Sequence, residues 1–168
     1  MRAQALPQPA KTSSPLHHRG GTRVCRERST GLDLVVVESA PVAELHLTLT
    51  LKPGETPAVL VARLAQVLAE RNATMVRQLV FGSVAAQAPT LAAMKHAFGR
   101  AVFPLTWVEG ASCAGSALAG MQVHAVAGAT VRFEQQANGT VACCWDDAVA
   151  RHCVLNGLGP TRFAQSRA

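Results

Sequence analysis

Over residues 44–51 the chain alternates without a break: Leu45, Leu47, Leu49 and Leu51 fall on one side, His46, Thr48 and Thr50 on the other. A period of two buries one side only in an extended chain, so a half-buried β-strand is predicted, its polar face meeting solvent or another subunit. Lys52, Pro53 and Gly54 break the strand, and Thr56 before Pro57 places an N-cap and a first-turn proline at the start of a helix. Leu60, Leu64, Val67 and Leu68 then recur at three- and four-residue steps, opposite Arg63, Gln66 and Glu70. That spacing predicts a helix over 57–71 with one stripe packed on a sheet, ended by Asn72.

The remaining elements follow in strict order. Residues 75–81, rich in Val, Leu and Phe, read as a central strand stopped by Gly82 and Ser83. Pro89 and Thr90 open a second helix over 90–101, with Leu91, Met94 and Phe98 on its inner face, until Pro104 demands extended chain. A strand is predicted over 106–108, and another where Met121, Val123 and Ala125 alternate with Gln122, His124 and Val126. Residues 22–28 and 32–38 form a first hairpin around Gly31, and 130–136 and 140–145 a last one around Asn138 and Gly139, a pair that accepts the positive φ of a tight turn. The sum is an α+β domain: a mixed β-sheet with two helices packed on one face.

Composition adds limits. With 168 residues, 49% of them hydrophobic, the chain can bury one core, and with no Tyr, five Phe and two Trp that core is built of Leu, Val and Ala. The net charge of +6 is uneven: Arg2, Lys11, Arg19, Arg23 and Arg26 all precede the first acid, Glu27, in a stretch broken by Pro7, Pro9 and Pro15. Organellar transit peptides share that lack of acids, but no amphipathic repeat accompanies it, so residues 1–21 are read as a disordered basic tail. Nucleic acid is not expected as a partner, since neither paired catalytic histidines nor an aromatic stacking platform is visible. No apolar run is long enough to span a bilayer and none has the layout of a secretory signal, so no membrane partner and a cytoplasmic location are expected. Cys25, Cys113, Cys143, Cys144 and Cys153 are odd in number and irregular in spacing, which favours reduced thiols.

The succession hairpin, strand, helix, strand, helix, strand, strand resembles the Rid family, also called YjgF or L-PSP proteins, whose fold is chorismate-mutase-like. Residues 72–81 look like the family strand after its first helix, and 91–100 like its second helix. Residues 103–109 and 118–127 look like its last two strands. About half of the chain is covered. The resemblance implies a homotrimer that binds a small carbonyl or imine metabolite in clefts between subunits, and hydrolysis of reactive enamines or imines to ketoacids and ammonia. The alternative is a noncatalytic ligand-binding or oligomer-assembly domain. Family enzymes hold the substrate carboxylate with an arginine in a Pro-x-Arg-Ser/Thr-x-Val pattern, a task suited to the paired donors of a guanidinium. Residues 104–108 run Pro, Leu, Thr, Trp, Val and carry no arginine. Where the family has a water-positioning glutamate, this chain has His124. Residues 148–160 look like the opening of a second Rid-like copy, so 22–145 are expected as the Rid-like domain and 146–168 as an extension.

The candidate site follows from these positions. His124 and Glu109 are the candidate catalytic groups, as imidazole and carboxylate able to move protons. Thr106 and Cys113 are the candidate substrate contacts, with Thr106 and His124 expected on adjacent strands. Arg77 and Arg100 are basic groups that could stand in for the missing arginine, although nothing in their spacing aims them at the cleft. Cys143, Cys144, His152 and Cys153 offer ligand atoms without the Cys-x-x-Cys spacing of a zinc site, and neither nucleotide-binding fingerprint occurs. No metal and no cofactor is expected.

Overall fold

The computed structural model describes residues 12–19 by their backbone and residues 21–99, 104–110, 112, 115–135, 137 and 140–156 in full. Twelve elements follow in order. Strands β1 (Thr12–Arg19), β2 (Thr22–Ser29), β3 (Leu32–Ser39) and β4 (Val42–Thr50) form an antiparallel meander. Helix α1 (Pro57–Glu70), β5 (Ala73–Gly82), α2 (Val84–Phe98), β6 (Leu105–Glu109) and β7 (Leu118–Ala127) complete the main layer pair. A second, small sheet is built from β8 (Arg132–Gln135), β9 (Val141–Asp146) and β10 (Arg151–Asn156).

The large sheet has the order β1-β2-β3-β4-β7-β5-β6. Strand β7 enters between β4 and β5 and is antiparallel to both, while β5 and β6 are parallel. A parallel neighbour needs a crossover, and α2 supplies it, as α1 does between β4 and β5. Leu45, Leu47 and Leu49 meet Met121, Val123 and Ala125 on one face, where Leu60, Val61 and Leu64 of α1 and Ala86 and Met94 of α2 close over them in one core. Both helices therefore cover the same face, and the architecture is α+β with a mixed sheet, as expected.

Three local expectations change. Residues 12–19, placed by sequence in a disordered tail, form β1 on the edge of the sheet, paired from Thr12 with Arg28 to Arg19 with Thr22; residues 1–11 lie outside the described residues. Helix α2 begins at Val84 rather than at residue 90, with Ser83 at its N-cap and Pro89 inside it. Pro89 leaves the Ala85 carbonyl without its helical donor but does not end the helix. The buried face runs Ala86, Thr90, Met94, with Leu91 turned outward and Thr90 Oγ1 donating to the Ala86 carbonyl at 2.6 Å. Thr56 does occupy the N-cap of α1, but its side chain makes no capping hydrogen bond.

The small sheet docks on the face that the helices leave bare. Cys143 and Trp145 of β9 pack on Val42, Val76 and Val126, with Val131 and Val154 beside them. The boundary expected after residue 145 thus falls inside β9, which continues to Asp146 and pairs along its length with β10. Cys144 and Cys153, opposite each other in that pairing, are joined by a disulfide, whereas Cys25 and Cys143 are free and buried. All-reduced thiols are therefore corrected for one pair. No described helix is long and apolar enough to cross a membrane.

Candidate functional site

The bare face of the large sheet carries the polar halves of β4 and β7. His46 stands directly opposite His124 in the antiparallel register, and Thr48 opposite Gln122. The two imidazoles stack, 4.6 Å between centroids and 13° between planes. Glu44, two residues before His46 and so on the same face, reaches across: its Oε2 lies 2.9 Å from His124 Nε2 and 3.9 Å from His46 Nε2.

Arg77 joins them because β5 contains a bulge. Met75 pairs with Ala125 and Arg77 with His124, so two steps on β5 match one on β7. Val76 turns onto the bare face and packs under the small sheet. Strict alternation would send Arg77 back among the helices; the extra residue leaves it on the bare face beside His124, and Gln78 returns to the buried core. Arg77 is exposed, and its guanidinium makes no ion pair or hydrogen bond among the described residues. With His46, Thr48, Leu79, Gln122 and His124 it lines an open depression of about 300 Å³. A second cavity, between β2, β3 and α1 beside Arg71, measures about 20 Å³, too small for a metabolite.

The small sheet meets this cluster at His124. Trp145 sets its edge against His124 (5.6 Å, 82°) and stacks on His152 (5.1 Å, 11°). His152 Nε2 is held 2.8 Å from Asp147 Oδ2. Burial, followed by the nearby His46, holds the His124 pKa below the ordinary histidine value, against the opposing pull of Glu44. The ring is accordingly neutral at pH 7, able to accept or donate one proton. Burial pushes the Cys143 thiol up to about 11, so it is inert.

The residues singled out from sequence are distributed unevenly. His124 lies at the centre of the depression. Thr106 is not on a strand adjacent to it: β5 stands between β6 and β7. Thr106 pairs with Leu79, one row away on the same face, and there its Oγ1 meets Asn156 Oδ1 at 3.2 Å. Glu109 falls on the same face of β6 as Leu105 and Trp107, which pack toward the helices, so the carboxylate partner of His124 is Glu44 and not Glu109. Cys113 and Arg100 lie outside the described residues. Glu44 and His46 were missed, although their i, i+2 spacing on the clearest strand of the chain was visible. Compared with known proteins, the chain matches no family model, no curated protein and no solved structure.

Proposed function

We propose that this is a Rid-like small-molecule protein whose ligand, a small 2-keto or 2-imino acid, lies in the depression over His46, His124 and Arg77. The observation that carries this reading is the bulge in β5, which sets an unpaired guanidinium beside a neutral histidine in an open pocket. A guanidinium is the group that best matches a carboxylate, and here it would do the work of the arginine missing from residues 104–108. The order of β2, β3, β4, β7, β5 and β6, with two helices on one face, supports a chorismate-mutase-like fold for that part of the chain. An open depression also suits a cleft that a second copy completes, as in a trimer.

In the enzymatic form of this reading, water adds to the imine carbon, the nitrogen takes up a proton, the C–N bond breaks and ammonia leaves a ketoacid. His124 would shuttle the proton, its ring oriented by the Glu44 carboxylate. The noncatalytic alternative, a ligand-binding or assembly domain, is favoured by how open the depression is to solvent. One assay separates them: the purified chain is mixed with freshly generated 2-iminopropanoate and ketoacid release is followed. A rate above buffer that falls in Arg77→Ala and His124→Ala, and not in Glu109→Ala, supports deamination here. A rate equal to buffer, with pyruvate still bound by the wild type and not by Arg77→Ala, leaves the binding domain. Pyruvate affinity unchanged in Arg77→Ala refutes the site itself.

A further inference from the structure

We infer that Glu44, His46 and His124 form a binding site for one divalent transition-metal ion of the zinc class. The carboxylate and the two imidazoles come from two neighbouring strands of one rigid sheet. Residues i and i+2 of β4 share a face, and the in-register partner of His46 on β7 is His124, so the backbone alone brings three ligand side chains to one spot. Their ligand atoms all lie within 4.8 Å of one another.

The distances suit a small ion. A tetrahedral zinc with bonds of about 2.0–2.1 Å sets its ligand atoms roughly 3.3–3.4 Å apart. The separations from Glu44 Oε2, 2.9 Å to His124 and 3.9 Å to His46, bracket that value. Side-chain rotation closes the difference without moving a strand. The freedom exists, since the His46 side chain is 51% exposed, while the His124 ring is steadied by the edge of Trp145.

A structural hydrogen bond accounts for Glu44 with His124, but not for His46. An exposed histidine is free to swing into water, yet this one stacks on a second imidazole and turns its Nε2 toward the same carboxylate oxygen. Two nitrogens converging on one oxygen is what a shared cation would organise. The donor set decides the class. Two imidazoles and one carboxylate suit zinc and its neighbours, whereas magnesium and calcium call for oxygen ligands throughout. Three protein ligands leave at least one position for water, facing the depression.

Charge sets the limit on affinity. Glu44 is the one anion of the cluster, and Arg77 across the register from His124 opposes a cation. Removing Arg77 should therefore tighten metal binding while it weakens carboxylate binding, so the two proposals move in opposite directions with one variant. Neither needs the other.

The experiment is calorimetric titration of the chelator-treated full chain with Zn²⁺ alone, with Co²⁺ absorption as a second readout. About one equivalent should bind. His46→Ala and Glu44→Gln should weaken it by at least the roughly 10- to 100-fold that loss of a mere outer-shell partner costs, with far-UV circular dichroism unchanged. His124→Ala should do the same, but because that ring is partly buried the two other variants decide. His96→Ala and the double change His17→Ala with His18→Ala should bind as the wild type does. No saturable binding overturns the proposal, as does binding that survives both His46→Ala and Glu44→Gln or is lost when His17 and His18 are changed. Zinc binding that persists or tightens in Arg77→Ala, together with loss of pyruvate binding, upholds both sites separately.

Discussion

Replacing Trp145 with Ala tests whether the small sheet is part of the fold or an appendage. The side chain is 3% exposed and is the largest member of the cluster that joins the two sheets, with Cys143 beside it and Val42, Val76 and Val126 beneath. Truncating a buried Trp costs about 3–5 kcal/mol in transfer and cavity terms. Loss of the edge contact to His124 and of the stack on His152 falls on top, at about 0.5–1.5 kcal/mol for each aromatic pair. Against a total stability of about 5–15 kcal/mol, the variant should be severely weakened. The chain has two tryptophans, so Trp145→Ala leaves Trp107 as the sole fluorophore, and Trp107 reports on the large sheet through its indole N–H to the Gly82 carbonyl. Urea unfolding followed by Trp107 fluorescence and by far-UV circular dichroism should show the midpoint shifting down in both signals together. A loss below about 1 kcal/mol, or a Trp107 transition that does not move, would mean that the small sheet contributes nothing to the large one.

Three further outcomes follow from single positions. Gly120→Ala should destabilise by about 1–3 kcal/mol or more in urea unfolding, because an added Cβ would stand 2.2 Å from the Leu49 carbonyl oxygen and force β4 and β7 apart; wild-type stability would show that the pair can separate freely. The Asp147 carboxylate, held by the amides of Ala150 and Val149 and then by His152, should titrate at about 2 instead of 3.8 in a carbon-13 NMR titration. Its folded-state pKa is depressed, so its contribution to stability is complete above the ordinary carboxylate range and is lost as pH falls through about 2; a midpoint near 4 contradicts the turn geometry. Arg77→Lys should keep the fold within about 0.5 kcal/mol, the side chain being exposed, yet weaken pyruvate binding, since an ammonium cannot offer the paired donors; equal affinity would reduce Arg77 to a point charge.

How much was legible in the sequence varies with the physics of each element. The alternating leucines of β4 and the stripe of α1 declare themselves, because a helix-covered sheet exposes one period and buries the other. Helix α2 was shifted: its inner face is Ala86, Thr90 and Met94, two of them small or polar, and Pro89 looked like a beginning when Ser83 was the cap. The small sheet was half seen, since β10 lies within residues 148–160, which resemble the opening of another copy, and nothing local says that it folds back on β9. His124 falls in the depression, whereas Glu109 falls on the face of β6 turned to the helices. The site itself was hidden by the bulge at Val76, which no run of residues announces, and by the insertion of β7 between β4 and β5. Only that pairing brings Glu44, His46, His124 and Arg77 together from segments as much as 80 residues apart.

The account rests on the bare face of the sheet being the binding surface, and chemical-shift mapping during titration with pyruvate addresses that face directly. The side-chain signals of His46 and His124, the Arg77 guanidinium and the Gln122 amide should move together along one saturable curve, with those of Glu27, Val67 and Arg71 on the helical side unmoved. Saturable shifts gathered at the helices, or none at any of the four residues, would contradict it.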